Sequence, residues 1–472
     1  MTHVLDRAAA HAAQYLEAVQ NRPISATATT EELRSRLGKP VPETGMAPEK
    51  VIDELVRDVE GGILGSSNAR FFGWVIGGNL PVAIAADWLT SVWDQNAASN
   101  VTAPAEAVVE EVCGEWMKEL LGIPRSASFA FVTGCQMAHT TALAAARHKL
   151  LADRGWDVER KGLAGAPPLR ILTTQNRHES TLRSARLLGV GTDAIEYVGA
   201  DNSGRIEIGK LEAALRAAGH DPVIVWLQAG DLNTGVFDPF ARACPMAHQA
   251  KAWVHIDGAF GLWAATSDRH RHLLDGAEQA DSWATDGHKW LNLPFESGLV
   301  FVAHPLAHRA AFSQETSYAV PLEELRNQKD WNPEWSRRGR GFPAYAAIRA
   351  LGRDGIGEIV ERCCALAKRL VTGIGELPGT EVVAEPIINQ GLVRFLADDG
   401  NHDRATDEMI HRIQERGVAW FGGVTWRGMR VMRVSVCNYL TQERDIDQAV
   451  ASVREALADR GCSADGSRHV HP

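Results

Sequence analysis

A single lysine stands in a stretch with unusual chemistry, residues 285–290, where Lys289 follows an aspartate and a histidine. Trp290 and a later apolar run at 298–302, typical of a buried strand, come directly after it. Burial disfavours an ammonium ion, so we expect a lowered pKa for Lys289, as an amine that traps a carbonyl group requires. The alternative is a partly buried lysine whose head pairs with Asp286 or reaches water.

A carboxylate occupies a comparable position at the end of another apolar run, where Asp257 follows residues 253–256. A buried aspartate stays ionised only beside a cationic or hydrogen-bond-donating partner. A protonated pyridine nitrogen is one such partner, and Ala259 would leave room for a flat ring. The alternative is an aspartate that caps the next turn.

A glycine-containing turn at 133–136 separates an apolar run at 129–132 from an alanine-rich helix predicted at 137–151. A turn that opens a helix presents free backbone N–H groups and the positive end of the helix dipole, which favours phosphate. His178 follows another predicted strand; the alternative for it is a hydrogen-bonded core histidine.

Strands alternate with helical or loop crossovers through this part of the chain. The predicted strands are 129–132, 170–174, 194–198, 223–227, 253–256, 282–285 and 298–302. This alternation predicts a largely parallel sheet with helices on both faces, whose ligands bind at the carboxyl ends of the strands. Because His178, Asp257 and Lys289 all follow strands, we expect them to converge there.

The chain divides by pattern into a helical N-terminal segment (1–125), an α/β domain (126–312), a polar loop (313–343), a smaller α+β domain (344–462) and a tail (463–472). The smaller domain begins with helices at 344–351 and 357–377. Its predicted strands are 381–383, 391–396, 418–421 and 431–436, with a helix at 404–416.

Composition narrows the class of protein. The 472 residues carry a net charge of −10 and 45% hydrophobic residues, which argues for a globular protein without a nucleic-acid or membrane partner. Seven cysteines without CxxC spacing predict a reducing compartment and no structural metal site. We find neither a signal peptide nor a run of the roughly 18 apolar residues that a membrane span needs, so we expect a cytoplasmic protein.

From about residue 48 to 450 the sequence resembles the pyridoxal-phosphate-dependent group II amino-acid decarboxylases, which include aromatic amino-acid and glutamate decarboxylases. The markers are residues 70–73, the turn at 133–134 with its helix, His178 with Ser180, residues 233–235 with 238–239, residues 255–259 and residues 288–290. The resemblance implies the fold-type I architecture, with a mostly parallel seven-stranded sheet and a smaller C-terminal α+β domain. It also implies pyridoxal 5′-phosphate as cofactor and a homodimer in which the N-terminal segment wraps the partner subunit.

The same resemblance assigns roles to individual residues. It implies that Lys289 forms the internal aldimine, that Asp257 pairs with the pyridinium nitrogen and that His178 stacks on the ring. It implies a loop tyrosine, Tyr318, that donates a proton after carbon dioxide leaves; the alternative is a tyrosine that only packs the loop. The remaining implied cofactor-binding residues are Thr133, Gly134, Cys135, Gln136, Asn233, Ala259 and His288.

One departure from the family pattern lies in the phosphate turn. Where the family typically has Gly-Gly-Ser-Glu-Ala-Asn, this chain has Cys135-Gln136-Met137-Ala138-His139 on a similar frame. The backbone donors survive this change, but side-chain contacts need not.

The resulting hypothesis is a lyase that decarboxylates an L-amino acid through an external aldimine and a quinonoid intermediate. An apolar or aromatic substrate side chain is expected from Phe71, Phe72, Trp74 and Trp93, which we take as candidate pocket residues. Oxidative decarboxylation to an aldehyde, aldol-type cleavage and aminotransfer remain alternatives on the same scaffold. A cofactor-binding paralogue without activity is the alternative from another class.

Overall fold

The computed structural model describes residues 2–314 and 325–465, which form two compact units. We call residues 79–365 with 385–391 the large unit, and the residues before 79, 366–384 and those from 392 onward the small unit.

The helices are α1 (Thr2–Ala18), α2 (Thr30–Leu37), α3 (Pro48–Asp58), α4 (Pro81–Trp93), α5 (Pro104–Leu121), α6 (Cys135–Ala152), α7 (Val158–Lys161), α8 (Ser180–Leu187), α9 (Ile208–Ala218), α10 (Phe240–Gln249), α11 (Pro305–Ala310), α12 (Gly341–Gly375), α13 (His402–Arg416) and α14 (Glu443–Asp465). The strands are β1 (Ser128–Val132), β2 (Arg170–Thr173), β3 (Ile195–Tyr197), β4 (Val223–Gln228), β5 (Trp253–Asp257), β6 (Ser282–Asp286), β7 (Gly298–Val302), β8 (Thr380–Ala384), β9 (Gln390–Phe395), β10 (Gly422–Trp426) and β11 (Met429–Ser435).

The large unit is built on a seven-stranded sheet with the order β1-β7-β6-β5-β4-β2-β3. Parallel pairs join β6, β5, β4, β2 and β3, whereas β7 runs antiparallel to both β1 and β6. The central strands β4, β5 and β6 are buried along their whole length, as strands covered on both faces must be. The predicted fold class is thereby confirmed.

The alanine-rich helix α6 packs on this sheet through small buried side chains. Ala138, Ala142, Ala145 and Ala146 are all fully covered, so the helix backbone lies close to the strands. The predicted helix is confirmed, although it begins earlier than expected, at Cys135.

A close approach of two glycines fixes the turn before α6. The edge strand β1 pairs with β7 from Ser128↔Val302 to Val132↔Gly298. A Cβ atom at Gly298 would lie 2.4 Å from the Cα atom of Gly134, which is impossible without displacing the turn. Gly298 is therefore required for the turn to lie where it does.

The small unit contains a four-stranded sheet with the order β10-β11-β9-β8, in which β10 is antiparallel to β11 and β8 to β9. N-terminal segments pack with it: the Ile24 N–H donates to the Gly417 carbonyl at 3.1 Å, and Arg70 lies 3.3 Å from Asp445. The α+β character of this part is confirmed.

One predicted strand of the small unit, 418–421, is wrong. Trp420 makes only an isolated bridge with Phe71, and the ladder with β11 begins at Gly422, opposite Arg433. The two glycines that begin β10 made this strand hard to predict, because glycine inside a strand usually indicates a break.

The predicted helices at 344–351 and 357–377 are present as one element, α12, interrupted where Gly352 adopts φ +63° and ψ −178°. The compact units do not divide at residues 125, 312 and 343. The predicted domain ranges and their roles stay predictions. Among residues 2–314 and 325–465, we find no helix with the length and apolarity that a bilayer span requires.

Candidate active site

Two carboxylates end the neighbouring strands β5 and β6 of the large unit. Asp257 closes β5 and Asp286 closes β6, and the two strands pair in parallel with Asp257 opposite Ala284. Both residues are buried. Parallel neighbours end at the same edge of a sheet, so the fold places two anionic groups side by side in a site shielded from water.

Lys289 follows β6 and pairs with the nearer of these carboxylates. Its Nζ atom lies 3.0 Å from Asp286 Oδ2, and its side chain is 20% exposed. Burial lowers the pKa of Lys289, but the charge and hydrogen bond of Asp286, aided by Asp257, raise it more, so the pKa lies above its ordinary value. The predicted lowering is wrong, because the distance between Asp286 and the Lys289 amine cannot be read from the amino-acid sequence.

The N-terminus of α6 already holds an anion. Asp286 Oδ1 accepts a hydrogen bond of 2.7 Å from the Cys135 N–H, the first of the helix. Thr133 and Gly134 precede it, and the Gln136 side chain turns away, donating to Thr140 and Ser184 at 3.3 and 3.2 Å. One backbone N–H at the start of α6 thus binds a carboxylate, favoured by the helix dipole, and the phosphate-binding role of residues 133–136 stays a prediction.

His288 lies against the same carboxylate. Its Nδ1 accepts from the Ser297 N–H at 3.3 Å, and its Nε2 lies 3.7 Å from Asp286 Oδ2. Burial lowers the pKa of His288, although Asp286 opposes the shift. The neutral ring therefore carries its proton on Nε2, on the side of Asp286.

Asp257 is held in its ionised form. Burial alone would raise the pKa of Asp257. The neighbouring His139, His178 and Lys289 have the larger effect and lower this pKa well below the usual range. The Ala259 N–H donates to Oδ1 at 3.2 Å, and His139 Nε2 lies 3.4 Å from Oδ2. A buried carboxylate in this state is prepared to accept a cationic partner.

His178 belongs to the same group of charges. It follows β2, and Asp257 and Lys289 both influence its titration, while burial lowers its pKa overall. Its Nδ1 accepts the Ser180 N–H at 3.1 Å and lies 2.8 Å from the Ser180 hydroxyl. The neutral ring is thus protonated on Nε2. His178, Asp257 and Lys289 converge, as predicted.

Three further residues beneath Asp257 escaped sequence reasoning. His139 Nδ1 lies 2.9 Å from His255 Nε2, and His255 Nδ1 lies 2.9 Å from Ser282 Oγ. The available signal was that His255 and Asp257 are two apart in a buried strand and therefore share a face. Nothing in the sequence placed His139 over that face. Cys135, His139 and Asp257 each have one side-chain atom of a metal-binding type, and these three atoms lie within 4.8 Å of one another. The contact between His139 and Asp257 accounts for part of this proximity.

No contact between described residues joins the predicted cofactor residue Asn233 to this group. Asn233 lies in the loop after β4, where its N–H donates to Asp231 at 2.9 Å and its side-chain oxygen is buried without a hydrogen bond in the described part. Tyr318 lies outside the described residues. Both assignments stay predictions.

The four aromatic residues proposed for a substrate pocket are distributed over both units. In the small unit Phe71 stacks on Trp420 at 4.9 Å and Phe72 on Phe421 at 5.3 Å, both buried. Trp74 is 51% exposed and also contacts Trp420. In the large unit Trp93 packs edge-on against Phe342. Their role in a pocket stays a prediction.

Comparison with known proteins decides the family. The model of the pyridoxal-dependent decarboxylase conserved domain matches residues 31–397. The chain belongs to this family. An aromatic-L-amino-acid decarboxylase of Bacillus atrophaeus is 25% identical over 94% of this chain and 92% of its own. An acidic amino acid decarboxylase of Homo sapiens is 28% identical over 75% and 69%.

The fold agrees with solved structures of such decarboxylases. The crystal structure of Oryza sativa TDC with PLP and tryptamine superposes with a TM-score of 0.91, at 22% identity, over 97% of this chain and 98% of that one. The resemblance seen in the sequence is confirmed. The protein is a pyridoxal-phosphate-dependent carboxy-lyase of the amino-acid decarboxylase family.

The site of this decarboxylase fits pyridoxal 5′-phosphate in its chemistry. The cofactor presents an aldehyde, a ring nitrogen that is basic, and a phosphate. The site offers an amine at Lys289, a buried ionised carboxylate at Asp257, and backbone donors at the start of α6. The amine suits the aldehyde, the carboxylate suits the ring nitrogen, and the backbone donors suit the phosphate.

Proposed function

We propose that the protein decarboxylates an L-amino acid with an apolar or aromatic side chain, with Lys289, Asp257 and His178 as its catalytic residues. The observation that carries this is the joint placement of a lysine amine and a buried, ionised aspartate at the ends of β6 and β5. The bound cofactor supplies an electron sink for the pair of electrons left on the substrate carbon when carbon dioxide departs.

The residues of the chain hold the reacting groups in position and control where their protons lie. Lys289 would hold the cofactor through its aldehyde group, and because only a neutral amine reacts with an aldehyde, a proton must first leave Nζ, which lies 3.0 Å from Asp286. Asp257 would hold the protonated ring nitrogen through its ionised carboxylate. His178 offers a neutral ring, fixed by Ser180, as a stacking surface.

Phosphate binding is assigned to the start of α6. Residues 133–136 supply backbone donors, and His288 supplies its Nε2 proton on the same side. We further assign Ala259 to contact with the ring and Asn233, whose buried oxygen lacks a hydrogen bond among the described residues, to the cofactor. Tyr318 is our candidate for the proton donor after decarboxylation.

Two observations support the proposed class of substrate. Full-length similarity to an aromatic decarboxylase favours an aromatic side chain, as does the exposed Trp74, which holds a left-handed φ of +48°. Such a backbone conformation is costly for a large side chain, and strained residues cluster at functional sites. The relative that acts on acidic amino acids marks the competing substrate class.

The experiment incubates the holoenzyme separately with aromatic, aliphatic and acidic L-amino acids and follows carbon dioxide, amine and aldehyde independently. We expect carbon dioxide and amine in equal amounts from an aromatic or aliphatic substrate. Turnover confined to acidic substrates would refute the substrate class, and aldehyde in place of amine would refute simple decarboxylation. Lys289→Ala should remove turnover and the absorption of covalently attached cofactor, whereas Lys149→Ala, an exposed lysine, should change neither.

We also propose a cytoplasmic homodimer. The helix α4 exposes large apolar side chains, a pattern that marks contact surfaces. They are Val82, Trp88, Leu89, Val92 and Trp93. Cys113, Cys135 and Cys244 are buried and form no disulfide, which fits a reducing compartment.

A further inference from the structure

A row of buried polar groups continues from Asp257 into the interior. His139 Nε2 lies 3.4 Å from Asp257 Oδ2, and His139 Nδ1 lies 2.9 Å from His255 Nε2. His255 Nδ1 lies 2.9 Å from Ser282 Oγ, which also accepts the indole N–H of Trp253 at 2.8 Å. His139, His255 and Ser282 are at most 1% exposed. Polar groups so deeply buried need a definite donor and acceptor at every contact.

The position of one proton in this row follows from the contacts. With both imidazoles neutral, the Ser282 hydroxyl donates to His255, which donates to His139, which donates from Nε2 to Asp257. With His139 cationic, it donates in both directions, and again Nε2 carries a proton. In the remaining arrangement, neutral His139 carries its proton on Nδ1. Its bare Nε2 lone pair would then face the ionised Asp257 carboxylate, which is repulsive. Both favourable orders give Asp257 an N–H donor from His139.

The surroundings keep this donor in place. The Trp226 ring lies 4.6 Å, between ring centroids, from both His139 and His255. His139 belongs to α6, whose first N–H binds Asp286. One helix therefore contacts both carboxylates of the site, Asp286 through its backbone and Asp257 through a side chain. His178 and Lys289 also act on Asp257, and the Ala259 N–H donates to it, so His139 shares this carboxylate with other partners.

We propose that His139 is a positioning residue for the cofactor's ring nitrogen: its Nε2 proton keeps Asp257 ionised and correctly turned, while His255 and Ser282 fix its tautomer. This role rests on the proposed pairing of Asp257 with the ring nitrogen. His139 itself touches neither cofactor nor substrate in this assignment.

The test compares two cofactors on the apoenzyme. Pyridoxal 5′-phosphate has the ring nitrogen, and its 1-deaza analogue has carbon in that position and cannot pair with Asp257. We expect His139→Leu to weaken binding of pyridoxal 5′-phosphate about tenfold or more, the effect of losing a hydrogen bond to a buried charge, and to leave binding of the analogue within about twofold. His139→Gln, which restores an amide donor, should recover most of the affinity.

Two controls separate the possible failures. Asp257→Leu must show the same nitrogen-specific loss; if it does not, the pairing of Asp257 with the ring nitrogen is wrong. If Asp257→Leu shows the loss and His139→Leu weakens both cofactors equally, or neither, His139 only packs and the positioning role is refuted. Thermal unfolding of each apo variant confirms that binding is measured on folded protein, and His255→Leu supplies a second variant should His139→Leu not fold. Neither outcome depends on which amino acid is the substrate.

Discussion

The proton on Lys289 is the first obstacle to loading the cofactor. Asp286 is the largest influence that raises the pKa of Lys289 against the effect of burial, and it lies only 3.0 Å from Nζ. The same carboxylate caps α6 through the Cys135 N–H. Asp286 therefore favours the charged form of the Lys289 amine, which cannot attack a carbonyl group.

Asp286→Asn should make Lys289 reactive at lower pH. The amide keeps an oxygen acceptor for the Cys135 N–H but removes the charge, so the effect of burial then dominates and the pKa of Lys289 should fall. The measurement is the rate of cofactor attachment to apoenzyme, followed by absorbance across a pH series. Asp153→Asn, at an exposed aspartate 2.7 Å from Lys149, is the matched control and should leave the profile unchanged. An unshifted profile for Asp286→Asn would contradict the role of this carboxylate.

Sequence reasoning identified candidate catalytic residues but not their environment. Lys289, Asp257 and His178 were found because each follows a strand in a sheet whose ligands bind at one edge. The pKa of Lys289 was predicted with the wrong sign, since the Asp286 contact depends on the course of the chain between residues 286 and 289. His139 was noted only as a departure from a pattern, because its contact with Asp257 requires the packing of α6 on β5.

At the scale of elements, α11 is attached to the sheet through a histidine that must stay neutral. His308 Nε2 donates to the Trp331 carbonyl at 2.7 Å, and Nδ1 lies 2.9 Å from the Ser128 hydroxyl. Burial, with the Arg326 cation as a second cause, lowers the pKa of His308 to about 3. The unfolded chain protonates this ring near pH 6.5, and the folded chain does not until near pH 3.

His308→Gln should therefore flatten the acid side of the stability profile. Between about pH 6.5 and pH 3 the unfolded state binds the proton, so stability falls as pH falls, at up to about 1.4 kcal/mol per pH unit. Glutamine can accept from Ser128 and donate to Trp331 without titrating. The measurement is the free energy of unfolding in urea from pH 7 to pH 4; His220→Gln, at an exposed histidine, is the control. Parallel curves for wild type and His308→Gln would rule out this contribution.

A strand could be predicted from sequence where its burial is reflected in its own residues. Strand β7 is a continuous apolar run, and β4 is apolar up to its last residue, because both of their faces are covered. The predicted positions of β4 to β7 are confirmed within about two residues. The antiparallel direction of β7 left no such signature, because direction depends on which strands become neighbours. Strand β10 was missed for a local reason, its two leading glycines.

At the scale of the molecule, association should depend on the apolar face of α4. Replacing Trp88 and Val92, one turn apart and 45% and 61% exposed, by glutamate should shift the proposed dimer to a monomer, because each charge would have to be desolvated in the contact. Light scattering coupled to size-exclusion chromatography over a concentration series measures the mass. Leu187→Glu, 60% exposed on α8, is the control. A wild-type monomer, or a double variant that stays dimeric, would contradict the assignment.

The division of the whole chain could not be predicted from sequence order. The small unit combines segments from both ends of the chain, joined by contacts such as the Ile24 N–H with the Gly417 carbonyl and Arg70 with Asp445. Composition and periodicity describe neighbours in sequence, whereas these contacts join residues hundreds of positions apart.

The pairing of β1 with β7 also has a consequence for the order of events during synthesis. β1 is the first strand of its sheet to leave the ribosome, yet its partner in the ladder is β7, the last. Gly298, which packs against the turn at Gly134, arrives with β7. Closing such a distant contact is slow, and a waiting strand exposes an unpaired edge. The nascent chain therefore cannot complete the packing of the turn at Gly134 until residues 298–302 have emerged, and until then β1 lacks its partner in the ladder.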